Sequence, residues 1–116
     1  TSMGRMIVAD LPPDEQKVFV KSAPLPQMTS KTLTNKGDLQ KALAKIHQQG
    51  WVLLDQELED GVRSIAAPIH DKTGRTIAAI NVGTQTGRVS MKQLSEEFLP
   101  LLIKTAAEIS SAMSRR

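Results

Sequence analysis

The N-terminal third of the chain alternates short apolar stretches at helical spacing with polar, proline-containing breaks. Residues 2–9 predict a short helix with Thr1 or Ser2 as its N-cap, and the two prolines that follow end this helix. A second helix is predicted over 13–21, because proline at the first helical position followed by two carboxylates suits a helix N-terminus. Two short helices are therefore expected to open the fold.

The next helix is the most clearly bounded of the short elements. The prolines in the segment 23–33 favour an extended connection, which can include a short edge strand at 31–33. Asn35 then provides an N-cap, and Gly50 a C-terminal stop. The apolar positions between them, at helical spacing, are Leu39, Ala42, Leu43 and Ile46. A helix is predicted between Asn35 and Gly50.

The middle of the chain changes to strand-like patterning. Strands are predicted over 51–57, 62–69 and 75–83, and the loop 71–74 ends in a glycine that suits a hairpin turn. The last two strands are apolar on both faces over much of their length, which predicts a sheet covered on both sides. Many of these residues are alanine, so the space above the sheet is open either to a closely packed helix or to a ligand.

A long C-terminal helix completes the pattern. Ser90 and Gln93 have capping-box spacing, and Pro100 is expected to kink the helix or divide it in two. One side of this helix carries Leu94, Phe98, Leu101, Leu102, Ala106, Ile109 and Met113. The order of three helices, three strands and a long helix predicts an α+β domain with helices packed on an antiparallel sheet.

Composition narrows the possible function classes. The 116 residues are enough for one domain of ordinary soluble composition, 40% hydrophobic and 23% charged. With no cysteine, disulfides, thiolate metal sites and thiol nucleophiles are excluded. A net charge of +3 is too small for a nucleic-acid footprint, and no apolar run is long enough for a membrane span. A non-enzymatic domain with no cofactor or metal is expected.

The candidate catalytic groups are few and separated in the sequence. His47 lies near a helix end, where histidine commonly complements the helix dipole. His70 and Asp71 lie at the hairpin turn, a pairing that more often stabilises the turn than performs catalysis. A solvated strand end and turn is predicted for the local acidic cluster Asp55, Glu57, Glu59 and Asp60. An enzyme using His70 and Asp71 remains a third hypothesis, behind two hypotheses without catalysis.

Binding has stronger support from the predicted hairpin. The predicted pairs are His70 with Arg75, Ser64 with Asn81, and Val62 with Gly83. Ser64 and Asn81 would then be small polar side chains in the middle of an apolar sheet face. Buried polar groups need hydrogen-bond partners, which a ligand, an ordered water or the neighbouring backbone can supply.

The first helix adds a candidate anion site. The backbone N–H groups at Ser2, Met3 and Gly4, together with the helix dipole, can receive a carboxylate. Arg5 projects from this first turn, and Arg63 faces away from Ser64 on its strand; each can pair with a carboxylate.

Several segments of the chain resemble one family in order and spacing. They are Thr1 to Arg5, Gly50-Trp51, Asp60 to Ile69, Asp71 to Gly74, Ala78 to Val82 and Leu99-Pro100. This pattern resembles the C-terminal effector-binding domain of IclR-type bacterial transcriptional regulators over nearly the whole chain. The opening TSMGR and the segment GVRSIAAPI look most like the PcaR, PcaU and PobR subgroup, which controls aromatic-acid catabolism.

The resemblance implies a GAF-like, or profilin-like, domain that binds a small organic acid and regulates catabolic gene transcription. Residues 1–116 would be the C-terminal portion of that domain, with the first strands and the N-terminal winged helix-turn-helix outside them. It also implies a cytoplasmic homodimer or tetramer that contacts DNA only through that N-terminal domain and has no membrane partner. The alternative hypothesis is an oligomerisation module without a small-molecule ligand.

By the same resemblance, the effector would bind to seven residues. These are Ser2, Met3, Leu54, Val62, Ser64, Asn81 and Gly83. Some family members have an acidic residue where Leu54 stands and a cysteine where Ser64 stands. Those two departures bear on which acid is bound rather than on whether the site exists.

Overall fold

A computed structural model describes residues 1–115 of the chain. The helices are α1 (Ser2–Ala9), α2 (Pro13–Ser22), α3 (Lys36–Gln49), α4 (Met91–Gln93) and α5 (Leu99–Ser114), with a π-helical turn (Leu94–Phe98) between the last two. The strands are β1 (Val52–Asp55), β2 (Val62–His70) and β3 (Thr76–Gln85). The predicted order and the α+β class are confirmed.

The predicted helix caps are present. Thr1, Asn35 and Ser90 each accept a hydrogen bond from a backbone N–H three residues later, at 3.0 to 3.1 Å. Gly50 ends α3 in the left-handed conformation, with φ of 81°, which glycine adopts at little steric cost. Local capping chemistry is therefore sufficient to fix these helix boundaries.

Pro100 alters the C-terminal helix without dividing it. Its missing N–H and its ring disfavour a regular α-helical turn just before it. The chain forms the π-helical turn there, and the N–H of Leu99 bonds to the carbonyl of Leu94, five residues back. The predicted perturbation is confirmed as a widened turn within a continuous helical region.

The sheet has the order β1-β2-β3 and is antiparallel throughout. Only the start of β2 matches the predicted strand boundaries, and the other five differ by one or two residues; the largest differences are that β1 ends at Asp55 and that β3 continues to Gln85, where it still pairs with β2. The edge strand predicted at 31–33 is wrong. Thr32 there bonds to backbone groups of its own turn and of the loop after β1, instead of pairing in a strand.

The predicted hairpin register is wrong by two residues. The observed pairs are Ser64 with Gly83, Ala66 with Asn81, Val62 with Gln85 and His70 with Thr76. One residue of the shift comes from the loop, which is longer than predicted because Asp71 and Arg75 close it. The other comes from an irregularity between Ile69 and His70. A two-residue shift leaves every side chain on its predicted face.

Helices pack on both faces of the sheet, as predicted, but the face under α1 stays uncovered on β3 at Asn81 and Gly83. On one face α1 packs on the sheet and α3 packs on α1, and they share a core of Met6, Val8, Ala9, Val20, Leu39, Leu43, Ile46, Val52, Leu54 and Ala66. On the other face the C-terminal helical region packs against the sheet, with Ile65, Ala67, Leu94, Leu99, Leu102 and Ala106 buried. Within residues 1–115, the helices are too short or too polar to span a membrane.

Candidate functional site

Helix α1 begins over one end of the sheet. Asp10, just after α1, accepts a hydrogen bond from Thr76 at the start of β3. Near the other end of α1, Arg5 Nη1 lies 2.9 Å from Glu57 Oε1, two residues beyond the end of β1. The N-terminus of α1 therefore points to the end of the sheet where β1 and β3 finish and β2 begins.

The structure places the five predicted strand residues on one sheet face at that end. Ser64 on β2 pairs with Leu54 on one side and with Gly83 on the other. Val62 and Asn81 are displaced by one pleat from these positions and share the face. A Cβ atom added at Gly83 would meet no atom within 4 Å, so the space above this part of the sheet is open.

The polar side chains on this face have no partners within residues 1–115. Neither the Ser64 hydroxyl nor the Asn81 amide forms a hydrogen bond with the described part of the chain, so of the three kinds of partner considered, neighbouring backbone does not serve here. Ser64 is half-buried, but Asn81 is exposed, because no described element covers this end of β3. Both groups are available to a ligand or to water.

The first turn of α1 contributes two free amides rather than three. The N–H of Gly4 is already bonded to Thr1 Oγ1 at 3.0 Å, and that of Arg5 to the Thr1 carbonyl. The N–H groups of Ser2 and Met3 precede the first helical bonds and stay free for an anion. Only 3% of the Ser2 surface is exposed. Its hydroxyl bonds to no described residue.

A cavity of about 380 Å³ lies beside this face and reaches it at Leu54. Its walls come from α1 (Thr1, Gly4, Arg5, Val8), α2 (Phe19), the connection to α3 (Ala23, Pro24, Leu25, Pro26, Met28, Thr32, Leu33), α3 (Leu39, Leu43) and the end of β1 (Leu54, Glu57, Leu58). Sequence reasoning missed this cavity. Apolar residues in an extended, proline-containing segment carry no periodic signal that would show which way they face.

Two sets of hydrogen bonds hold the loop after β1 in place. Thr29, itself buried, donates to the Gln56 carbonyl, and Thr32 donates to the Glu57 carbonyl. Gln56 has a φ of 59°, uncommon for a residue other than glycine, and its side-chain oxygen accepts a bond from the Gly61 N–H. These bonds hold Glu57 against Arg5, as the predicted pairing of Arg5 with a carboxylate requires.

Asp55 forms a second polar cluster on the other side of the same loop. The side-chain amide of Gln56 and the guanidinium of Arg63 both donate to Asp55 Oδ1, at 3.1 and 2.8 Å. These bonds, with a weaker contribution from Lys31, hold the pKa of Asp55 below its ordinary value of 3.8. The predicted pairing of Arg63 with a carboxylate is also confirmed.

The lowered pKa of Asp55 predicts an acid-dependent loss of stability. A carboxylate with a lower pKa when folded stabilises the fold above its unfolded value, and this stabilisation disappears as pH falls through the folded pKa. We expect Asp55→Asn to lower the free energy of unfolding by about 0.5 kcal/mol at pH 6, with the difference shrinking below pH 3.8. Urea unfolding at several pH values measures the difference, and Asp60→Asn is the exposed control. A difference that stays constant down to pH 2 would contradict this account.

Two of the candidate catalytic groups, Asp71 and His47, form structural contacts. Asp71 Oδ1 accepts bonds from the Thr73 N–H, the Thr73 hydroxyl and the Arg75 N–H, so Asp71 stabilises the turn, but within residues 1–115 it does so without a bond to the His70 side chain. The exposed His47 has its Nδ1 2.8 Å from Asp10 Oδ1, and these two residues line a second, smaller cavity together with His70. Within residues 1–115 no cluster of three or more potential ligands is arranged to hold a metal.

Comparisons with known proteins agree on one family. A family model described as the C-terminal region of the bacterial transcriptional regulator IclR matches residues 1–111. The Pca regulon regulatory protein of Pseudomonas putida is 39% identical over 94% of this chain, and the Pca operon regulatory protein of Acinetobacter baylyi is 34% identical over 97%. The chain spans only 38% and 41% of those two proteins.

Solved structures show the same similarity. A protein described as a transcriptional regulator from Rhodococcus sp. RHA1 has a TM-score of 0.96 and 37% identity, covering 99% of this chain and 47% of that one. The inducer-binding domain of the PobR transcription factor from Acinetobacter, a double mutant in complex with 3-hydroxybenzoic acid, has a TM-score of 0.89 and 34% identity. This match covers 95% of this chain and 63% of that one.

Proposed function

The chain belongs to the family of C-terminal domains of IclR-type bacterial transcriptional regulators, and from that membership we propose that it binds a small organic acid as a transcriptional effector. Effector binding would control catabolic genes through a winged helix-turn-helix domain elsewhere in a longer, cytoplasmic regulator. The observation that carries the proposal is the open sheet face at the N-terminus of α1, where the Ser2 and Ser64 hydroxyls form no hydrogen bond with the described residues, 1–115.

The chemistry of this face favours a carboxylate. The free N–H groups of Ser2 and Met3 lie at the positive end of the α1 dipole, which attracts an anion. Ser64 and Asn81 can each bond to a further polar substituent, while Leu54, Val62 and Gly83 provide apolar surface. These seven residues form the proposed effector site.

An aromatic acid is the favoured effector class. The PobR domain bound to 3-hydroxybenzoic acid and the Pca regulators are all at least 33% identical to this chain. Other relatives have names that do not refer to aromatic acids, for example the KdgR regulator of Escherichia coli, which is 30% identical. Binding would act on DNA only through unequal affinity for two arrangements of a dimer or tetramer.

Calorimetric titration of the intact protein tests the proposal. Protocatechuate, 4-hydroxybenzoate, β-ketoadipate and glyoxylate are the acids to compare. We expect saturable binding of at least one of the aromatic acids, and a negative heat-capacity change from burial of its ring. If none of the four acids binds, the effector site as proposed here is wrong.

A second candidate function is assembly without a ligand. Leu101, Ile103 and Met113 on α5 are exposed by 63%, 40% and 41%, and such apolar groups suit a subunit interface. In that case the sheet face near Ser64 would be covered by protein in the assembled regulator. The two functions predict different outcomes for substitution of Ser64: loss of acid binding with assembly intact in one case, and disrupted or unchanged assembly in the other.

A further inference from the structure

We propose that the Arg5–Glu57 ion pair and the apolar cavity beside it recognise the ring of an aromatic effector, and specifically a hydroxyl group on that ring. This inference rests on the function proposed above and adds the location of the ring and the group that selects it. The carboxylate would stay at the free amides of Ser2 and Met3, one helical turn before Arg5.

The size and lining of the cavity suit a single aromatic ring. A volume of about 380 Å³ lies in the lower part of the range for small-molecule pockets. Leu39 and Leu43 are buried at the base, whereas Phe19, Met28 and Leu58 at the mouth are 44%, 57% and 55% exposed. A ring placed between them would remove part of this apolar surface from water, which is the main source of affinity in such sites.

The Arg5–Glu57 ion pair lines the cavity as a polar group with no net charge. Within residues 1–115, Arg5 uses one of its N–H groups on Glu57, at 2.9 Å, and has others free. Glu57 accepts that bond through one carboxylate oxygen and keeps the second oxygen free. The opposite charges cancel, so a second carboxylate gains little here. A phenolic hydroxyl fits better, because it can accept from Arg5 and donate to Glu57.

Preorganisation strengthens this assignment. Thr29 and Thr32 hold the carbonyls of Gln56 and Glu57, so the Glu57 backbone is fixed before any ligand arrives. The side chains of Arg5 and Glu57 are only 17% and 18% exposed, so hydrogen bonds formed there face little competition from water. Leu54 lines this cavity and also lies on the sheet face, so the two parts of the proposed site are adjacent.

The first test compares 4-hydroxybenzoate with benzoate, which lacks the hydroxyl group. In the wild-type intact protein we expect 4-hydroxybenzoate to bind about tenfold more tightly, the effect of one net hydrogen bond. The double variant Arg5→Leu/Glu57→Leu removes both charges without leaving either unpaired. We expect its affinities for the two acids to lie within about twofold of each other. A preference that survives in the double variant would overturn the role of the ion pair.

The second test fills the cavity. Ala23 lines it from an extended segment that accepts a large side chain, so Ala23→Phe should weaken aromatic acids at least tenfold while glyoxylate binding persists. Ala44→Phe, on the exposed surface of α3, is the matched control. In the wild type, nuclear Overhauser contacts are expected between ring protons of 4-hydroxybenzoate and the Met28 methyl group. Unchanged aromatic affinity in a folded Ala23→Phe variant, or no such contacts, would overturn the ring location.

These outcomes separate the two proposals. If wild-type protein binds aromatic acids and Ser64→Leu abolishes the binding, but Ala23→Phe has no effect, the proposed function stands and the cavity assignment is wrong. If the wild type binds no acid at all, the proposed function fails and the cavity assignment fails with it.

Discussion

The Ser64→Leu variant is expected to bind aromatic acids roughly a hundredfold more weakly than the wild type while keeping its oligomeric state. Ser64 pairs with Leu54 and Gly83 beneath open space, so a leucine there would occupy the volume meant for the ligand. Steric overlap and a lost hydrogen bond together cost about 2 to 4 kcal/mol, which corresponds to that loss of affinity. Calorimetric titration and sedimentation measure the two properties separately.

The same variant distinguishes sensing from assembly. Under the assembly hypothesis, Ser64→Leu should disrupt oligomers or change nothing, because no ligand occupies the face. Ser111→Leu, the same change at an exposed position on α5, controls for added apolar surface. Disrupted oligomers with unaltered acid binding would favour assembly and count against the sensor.

Leu43→Ala is expected to lower the free energy of unfolding by about 2 to 5 kcal/mol. Leu43 is 1% exposed and belongs to the core that α1 and α3 form on the sheet. Its truncation removes buried apolar surface and enlarges the cavity that it lines, and the packed helices can close that space only in part. Such a loss is a large fraction of the total stability of a domain of this size.

Chemical denaturation monitored by circular dichroism measures the effect. Val18→Ala on α2 is the control, because Val18 is 69% exposed and its truncation should change stability by less than about 0.5 kcal/mol. If the two variants unfold at the same denaturant concentration, α3 does not pack on α1 as described.

Much of the fold could be predicted because its signals are local. Thr1, Asn35 and Ser90 cap their helices through side chains three residues from their partners, and Gly50 stops α3 where only a left-handed residue fits. The apolar faces of β2 and β3 likewise indicated a sheet covered on both sides, and α1 and α5 pack on its two faces. Each of these features depends on neighbours in the sequence.

The features that sequence reasoning missed depend on distant contacts. The register shift arises from an extra residue on β3, Ile77, between the pairs Ile69–Ala78 and His70–Thr76, and from closure of the loop by Asp71 and Arg75. The cavity depends on a connection folding back so that Thr29 and Thr32 meet the loop after β1, more than twenty residues away. The side chains still lie on their predicted face only because the register shift was an even number of residues.

Adjacent residues of strand β2 contact opposite sides of the domain. Ser64 faces the proposed effector site, and its neighbour Ile65 is fully buried against the C-terminal helical region. Successive residues in a strand are only about 3.3 Å apart and point to opposite faces. A rotation of β2 imposed from the effector side therefore displaces the contacts of α5 directly, with no intervening loop to absorb it. The exposed apolar side chains of α5 would move with that helix, so a ligand and a subunit neighbour would act on the same strand.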